Sequence, residues 1–203
     1  MDNSRLVKRK SFPWIGLAVL SVLLAVLLAQ LIPEWRRMAA LSRVETRGDR
    51  LFQDGQGAEA AACWRNVLAR NPRSYTARNK LAIWHINEGR FEKAEKMLKE
   101  GLADRPRELS YLYNLGLLHF MQGRYQEALA LLETVADINP MHGEVHFLKG
   151  TIYEKLGRKD LAAAEFIKEL NVDPATPEAW RKVVAVNTAP AMAVAGKTPG
   201  ADR

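Results

Sequence analysis

The sequence of 203 residues contains a single cysteine, Cys63, and only four histidines. One cysteine cannot form an intramolecular disulfide, which excludes a disulfide-stapled fold and leaves the redox compartment of the protein open. Apolar residues make up 48% of the chain and charged residues 26%, a composition unlike that of a disordered protein. The chain therefore has enough apolar side chains to bury a core without covalent cross-links.

The sequence also lacks a set of residues arranged for catalysis. No phosphate-binding glycine-rich loop is present, and Cys63 has no partner histidine at a spacing typical of nucleophilic catalysis. His142 and His146 are four residues apart and could share a helix face as metal ligands, but no third ligand has a matching spacing. We therefore expect no catalytic residues, no metal, no cofactor and no small-molecule substrate, and we predict that the protein is not an enzyme.

Basic residues exceed acidic residues by 30 to 23, and this excess is unevenly distributed. Residues 1–50 contain nine basic and four acidic side chains, a net charge of +5, whereas residues 51–203 contain 21 and 19. A nucleic-acid-binding domain would carry its positive charge as a patch on the folded part. Because most of the chain is close to neutral, we do not expect it to bind nucleic acid.

A long apolar run separates two basic clusters in the N-terminal region. Residues 14–32 contain no charge, and as a helix they would extend roughly 28 Å, close to the thickness of a bilayer's hydrocarbon core. A cleaved signal peptide is the alternative, but its apolar region is usually only about 7–15 residues long. The four basic residues of the short arm 1–13 favour a cytoplasmic N-terminus. The sequence thus predicts a single-pass inner-membrane protein whose C-terminal part lies in the periplasm.

The rest of the chain repeats with a fixed period. Proline recurs at positions 72, 106, 140 and 174, glycine at 55, 89, 123 and 157, and alanine at 60, 94, 128 and 162. The interval is 34 residues in all three series. Glycine suits a left-handed turn between two helices, alanine a close helix crossing, and proline the end of the second helix. The pattern predicts helix-turn-helix units over 41–74, 75–108, 109–142 and 143–176.

A unit of this length and pattern resembles the tetratricopeptide repeat (TPR). The third unit matches best, and its residues at the family's characteristic positions are Leu115, Gly116, Gly123, Tyr125, Ala128, Leu132 and Pro140. Residues 177–187, which include Trp180, resemble the capping helix that covers the last repeat. The resemblance implies an all-α, right-handed α-solenoid of four TPR helix pairs plus a C-terminal capping helix, and the apolar run predicts one transmembrane helix before it. Residues 33–40 are predicted to form a membrane-proximal helical linker, and residues 188–203 a disordered tail.

In this family the first helix of each unit lines a concave face that holds segments of partner proteins. The resemblance assigns to this groove Asn79, Ile83, Ile86, Asn87, Tyr113, Leu117, Phe120, Met121, Phe147, Thr151, Glu154 and Lys155. The centre of this set is apolar and aromatic, which favours an amphipathic helix or an extended apolar segment as the ligand. The alternative is that several of these residues pack between neighbouring units.

Members of the family that bind chaperone C-termini clamp the terminal carboxylate with basic and amide side chains. The corresponding positions of the first unit are Glu45 and Asp49. Because acidic side chains repel a carboxylate, the sequence disfavours this class of ligand.

Arg36, Arg43, Arg47 and Arg50 form a basic stripe after the apolar run, which we call the Arg stripe. On a helical wheel these four side chains fall within about 60° of one another. Two interpretations remain open. The Arg stripe is either the solvated face of an atypical first repeat or a surface that contacts anionic lipid headgroups or an acidic membrane partner.

The resemblance implies a membrane-anchored TPR scaffold that assists assembly or maturation of envelope or membrane-complex proteins. Such a scaffold is similar to the anchored repeat proteins of cytochrome c biogenesis and of periplasmic chaperone networks. The alternative is a constitutive structural subunit of a membrane complex, attached through the anchor helix and the Arg stripe. The predicted partners are protein segments in the groove and the lipid bilayer around residues 14–32.

Overall fold

The computed structural model describes residues 14–185, which form nine helices and no strand. The first eight are α1 (Trp14–Gln53), α2 (Gly57–Arg70), α3 (Tyr75–Asn87), α4 (Phe91–Asp104), α5 (Leu109–Met121), α6 (Tyr125–Ile138), α7 (Val145–Lys155) and α8 (Lys159–Val172). The ninth, α9, covers residues 177–185. The predicted arm 1–13, the last two residues of the predicted capping helix and the predicted tail 188–203 lie outside the described residues.

The predicted period is confirmed to the residue in the second helix of each unit. Helices α2, α4, α6 and α8 are each 14 residues long and begin at Gly57, Phe91, Tyr125 and Lys159. The glycine of each preceding turn has φ between 67° and 78°, the left-handed conformation that a Cβ would strain. Each repeated proline lies in the turn after a second helix, where the missing N–H costs no helical hydrogen bond.

The chain divides into two compact units, Met1–Val67 and Leu68–Arg203. In the first unit α1 is a single helix of 40 residues that continues through Pro33. The predicted transmembrane helix, the predicted linker and the first helix of the first repeat are therefore one continuous helix.

Trp64 joins the end of α1 to α2 within the first unit. Its side chain is 2% exposed, its Nε1 donates to Asp49 Oδ1 at 3.2 Å, and its ring centroid lies 5.5 Å from that of Phe52. Gly48 makes this contact possible, because a Cβ there would be only 2.7 Å from Trp64 Nε1. A small residue at this position of the repeat thus has a packing reason.

The second unit contains three consecutive helix pairs with buried apolar clusters between their helices. The repeated alanines at 94, 128 and 162 are fully buried, as the pattern predicts for a close helix crossing. Leu98, Leu132 and Phe166, from the predicted apolar stripe, are also fully buried. Between α7 and α8, Gly150 lies against the Phe166 ring, and a Cβ at Gly150 would be 2.6 Å from the ring. The pairs are therefore held by apolar burial at positions that recur once in every repeat.

Charged groups are also buried between α7 and α8. Glu165 is 6% exposed, and its carboxylate lies 2.7 Å from His146 Nδ1, 2.9 Å from Lys168 Nζ and 3.5 Å from Lys149 Nζ. Burial raises the pKa of Glu165, but the hydrogen bonds from His146 and Lys168 and the charge of Lys149 outweigh it and lower the pKa overall. This carboxylate is therefore ionised at neutral pH.

A second ionic network connects α4 with the start of α6. Arg124 donates to Glu95 at 2.8 Å, and Lys99 contacts the same carboxylate at 2.8 Å. The hydrogen bonds from Arg124 and Lys99 lower the pKa of Glu95 to about 2. His119 is 5% exposed beside this network, and burial lowers its pKa. It contributes as a neutral packing residue.

Candidate functional site

A cleft of about 730 Å³ opens in the second unit between α5, α7, the end of α8 and the start of α9. Its apolar wall consists of Tyr113, Leu117, Phe147 and Leu148. Its acidic side consists of Glu144, Glu169, Asp173 and Glu178. We call this feature the acidic cleft. Its volume falls in the range of binding sites, about 300–1,000 Å³.

The repeat itself places the apolar wall of the acidic cleft. Tyr113 and Leu117 are four residues apart on α5 and therefore lie on the same helix face. Phe147 follows Tyr113 by one full period of the repeat and takes the corresponding place on α7. Three of the residues that the resemblance assigns to the groove are thus brought together around one opening.

Tyr113 contributes a hydroxyl group to the otherwise apolar side chains of this wall. Its hydroxyl donates to Glu144 Oε2 at 3.0 Å, and the His142 ring stacks against it with centroids 5.5 Å apart. Burial and the neighbouring Glu144 carboxylate both raise the pKa of Tyr113. The hydroxyl therefore stays protonated and keeps its role as a donor.

The acidic side depends on an irregular start to α7. Glu144 has φ of 70°, a left-handed conformation that a residue other than glycine rarely adopts. As a result α7 begins at the third position of its repeat, whereas α3 and α5 begin at the first. Glu169 from α8 compensates, because its carboxylate accepts from the backbone N–H of Glu144 and of Phe147, each at 3.1 Å. A carboxylate of 2% exposure thus caps the positive end of α7.

The other predicted groove residues have varied environments. Ile86 is 4% exposed and belongs to the apolar core. Asn79 Oδ1 accepts from Asn114 Nδ2 at 2.9 Å, and Glu154 pairs with Lys182 at 2.6 Å. Phe120 and Ile83 are half-buried, Thr151 Oγ1 donates to the Phe147 carbonyl, and the exposed members are Asn87, Met121 and Lys155. Part of the predicted set therefore packs between helices, while Met121, Asn87 and Lys155 remain open to solvent.

The Arg stripe lies on α1, in the first unit. Arg36, Arg43, Arg47 and Arg50 are all exposed. The neighbouring Arg37 pairs with Glu34 at 3.0 Å. These four guanidinium groups are thus placed on the surface of the first unit.

The two histidines four residues apart serve different contacts. His146 Nδ1 bonds the buried Glu165, whereas the His142 ring stacks on Tyr113 and its Nδ1 contacts the Gly143 carbonyl at 2.7 Å. Within residues 14–185 no group of three or more His, Cys, Asp or Glu side chains could hold a metal ion.

Two family models, both described as tetratricopeptide repeat, match the chain: one over residues 46–91 and 80–140, the other over residues 119–185. The chain belongs to the tetratricopeptide repeat family. TPR domains act as scaffolds for protein–protein interaction, and this TPR protein is a scaffold of that kind. No curated protein matches its sequence.

Solved structures support the fold of this TPR chain. A crystal structure of MamA has 21% identity and a TM-score of 0.62, covering 71% of this chain and 85% of that one. A thermophilic TPR protein of Thermus thermophilus has 24% identity and a TM-score of 0.63, covering 72% and 80%. MamA from Desulfovibrio magneticus RS-1 has 18% identity and a TM-score of 0.63, covering 73% and 84%. At these identities the likeness shows the all-α TPR fold alone.

The sequence prediction missed the acidic side of the cleft. The repeat pattern draws attention to the first helices, whereas Glu169 lies on the second helix α8, and Asp173 and Glu178 follow that helix. Glu144 directly precedes α7, the helix whose Phe147 the resemblance assigns to the groove. That position was the one signal in the sequence.

Proposed function

We propose that this TPR protein is a membrane-anchored scaffold that binds segments of partner proteins along α3, α5 and α7. Its role is to assist the assembly or maturation of envelope or membrane-complex proteins, from the periplasmic side of the inner membrane. The acidic cleft carries the proposal, because it exposes aromatic and apolar side chains beside carboxylates in an opening of about 730 Å³. Such an arrangement is typical of surfaces that bind protein segments.

The exposed apolar surface of α1 supports the anchor. Every valine, leucine and isoleucine between Val19 and Ile32 is 45–63% exposed, a long apolar surface that none of the other described residues covers. Within the helix segment Val19–Gln53, one stretch of 18 residues has a mean hydropathy of 1.6, and none of its residues is buried. Membrane anchors and signal sequences share these properties, and we favour the anchor because the apolar helix continues directly into the first repeat. Anchoring would raise the effective concentration of the scaffold near membrane partners.

The groove is tested by a double variant, Leu117→Glu with Phe120→Glu. A new carboxylate on the apolar wall at position 117, and a second one on the same helix at position 120, should reduce the amount of partner captured from detergent-solubilised membranes by more than about tenfold, the effect of removing a central contact. The measurement is quantitative mass spectrometry of co-purified proteins, with helix content checked by circular dichroism.

A matched control for this experiment is Leu161→Glu with Ile167→Glu. Both residues are exposed on α8 and lie outside the acidic cleft. Its capture should equal that of the wild type. Equal capture by the folded groove variant would reject the groove as the binding surface.

The exposed Arg stripe supports a second candidate function, a structural subunit held in one membrane complex through α1. In that case replacing all four arginines by glutamine should lower the share of the protein bound in its complex by more than about tenfold. The reason is that each arginine contributes about 1 kcal/mol of binding free energy near an anionic surface. The readout is the share of the protein that migrates with the complex in native gels. Lys93→Gln with Lys96→Gln on the exposed side of α4 is the control. Full co-migration of the four-arginine variant would rule this function out.

A further inference from the structure

We infer that the segment bound in the acidic cleft presents a lysine or arginine side chain among apolar residues, and that the cleft selects this cation. The inference rests on the proposed function and specifies the chemical class of its partner. The occupant is therefore a cationic, partly apolar segment of another protein.

The charge of the cleft is the first argument. Four carboxylates, those of Glu144, Glu169, Asp173 and Glu178, line it, and none of its lining residues is lysine or arginine. Arg181 pairs with Glu178 from outside the lining, which leaves a negative excess inside. Carboxylates concentrated in one cleft repel acidic segments and attract cationic ones, so that charge determines which partners are excluded.

The buried Glu169 is the second argument. Its carboxylate is 2% exposed and accepts two backbone N–H groups, yet no lysine or arginine pairs with it among the described residues. The described partners of this carboxylate are these two backbone N–H groups and the positive end of α7, which supplies only about half of an elementary charge. A cationic side chain entering the cleft would add an attractive charge beside it.

The apolar wall explains why the cation should be a side chain and not a free ion. Lysine and arginine have apolar stems that pack on surfaces such as Leu117 while their charged ends reach polar groups. The rings of Tyr113 and Phe147 line the same opening and can attract a cation through their faces. Glu144 is held beside this wall by the Tyr113 hydroxyl at 3.0 Å. Apolar surface and carboxylates thus meet at one place.

The test uses the full-length protein in phosphatidylcholine nanodiscs and fluorescence anisotropy, with empty nanodiscs as the blank. The probes are three short fluorescein-labelled peptides with identical apolar positions, whose variable positions are all lysine, all glutamine or all glutamate. We expect the lysine peptide to bind about tenfold more tightly than the glutamine peptide, the glutamate peptide to bind most weakly, and the lysine affinity to fall at high salt.

The deciding variant is Glu144→Gln with Glu178→Gln, which removes two charges and leaves the buried Glu169 intact. It should lower the affinity for the lysine peptide by about three- to tenfold and change the affinity for the glutamine peptide much less, so that the lysine preference shrinks. The control, Glu92→Gln with Glu100→Gln, removes two exposed charges of α4 and should change neither affinity.

Equal affinity for the lysine and glutamine peptides would overturn the inference, and so would a lysine preference that survives in Glu144→Gln with Glu178→Gln. If the glutamine peptide binds and Leu117→Glu with Phe120→Glu abolishes its binding, the proposed function stands and only the cationic preference fails. If that groove variant captures its partners as the wild type does, the proposed function fails as well.

Discussion

Replacing Glu165 by alanine is expected to lower the free energy of unfolding by about 3–5 kcal/mol, the usual cost of breaking a buried ion pair. The physical reason is Lys149, which is 3% exposed and would lose the Glu165 carboxylate at 3.5 Å. His146 would also lose its partner at 2.7 Å. Chemical denaturation of the purified protein, followed by circular dichroism, measures the loss.

Two further variants test whether the buried charge is the cause. Glu133 supplies the other carboxylate near Lys149, and its side chain is 59% exposed. Glu133→Ala should therefore lower the free energy of unfolding by less than about 1 kcal/mol. Replacing His146, Lys149 and Glu165 together by leucine, methionine and leucine should recover most of the stability, because no uncompensated buried charge remains. A Glu165→Ala loss no larger than that of Glu133→Ala would contradict this explanation.

Phe166→Ala is expected to cost about 3–5 kcal/mol of stability, the range for truncating a buried aromatic side chain. The Phe166 ring is fully buried between α7 and α8, and its centroid lies 5.6 Å from that of Phe147. Because Phe147 lines the acidic cleft, the same variant should also weaken capture of partner proteins. Denaturant unfolding and capture from solubilised membranes measure the two effects.

The neighbouring Ile167→Ala is a matched control, since Ile167 is 48% exposed on the same helix and should change stability by less than about 1 kcal/mol. Gly150→Ala tests the same packing from the side of α7, because the new Cβ would be only 2.6 Å from the Phe166 ring. Combining Gly150→Ala with Phe166→Leu should cost less than the sum of the single variants, because the smaller side chain makes room. Strict additivity would show that the contact is not what destabilises Gly150→Ala.

Much of the fold follows from local rules that repeat in the sequence. A glycine that must adopt a positive φ, an alanine at a helix crossing and a proline after a helix each satisfy one backbone or packing requirement. Because these requirements recur at a fixed interval, Gly123 and Pro140 were enough to predict a turn between two helices and the end of the second one. Family membership followed from the same positions.

The acidic cleft depends on tertiary contacts that no period reveals. Glu144 adopts a left-handed conformation that its residue type does not favour, and the compensating Glu169 lies 25 residues further along the chain. Sequence spacing likewise suggested that His142 and His146 could share a helix face. In the structure His146 bonds Glu165, whereas the His142 ring stacks on Tyr113. Whether a polar side chain faces solvent, core or cleft is decided by the helices packed against it.

Occupation of the acidic cleft by partner segments is measured most directly by photo-cross-linking in intact membranes. The photoreactive amino acid p-benzoylphenylalanine replaces Tyr113, whose ring lines the cleft, or Ile167, which is exposed on α8 outside it. We expect cross-linked protein partners from position 113 and none from position 167. Absence of cross-links at position 113, or the same products from both positions, would contradict this expectation.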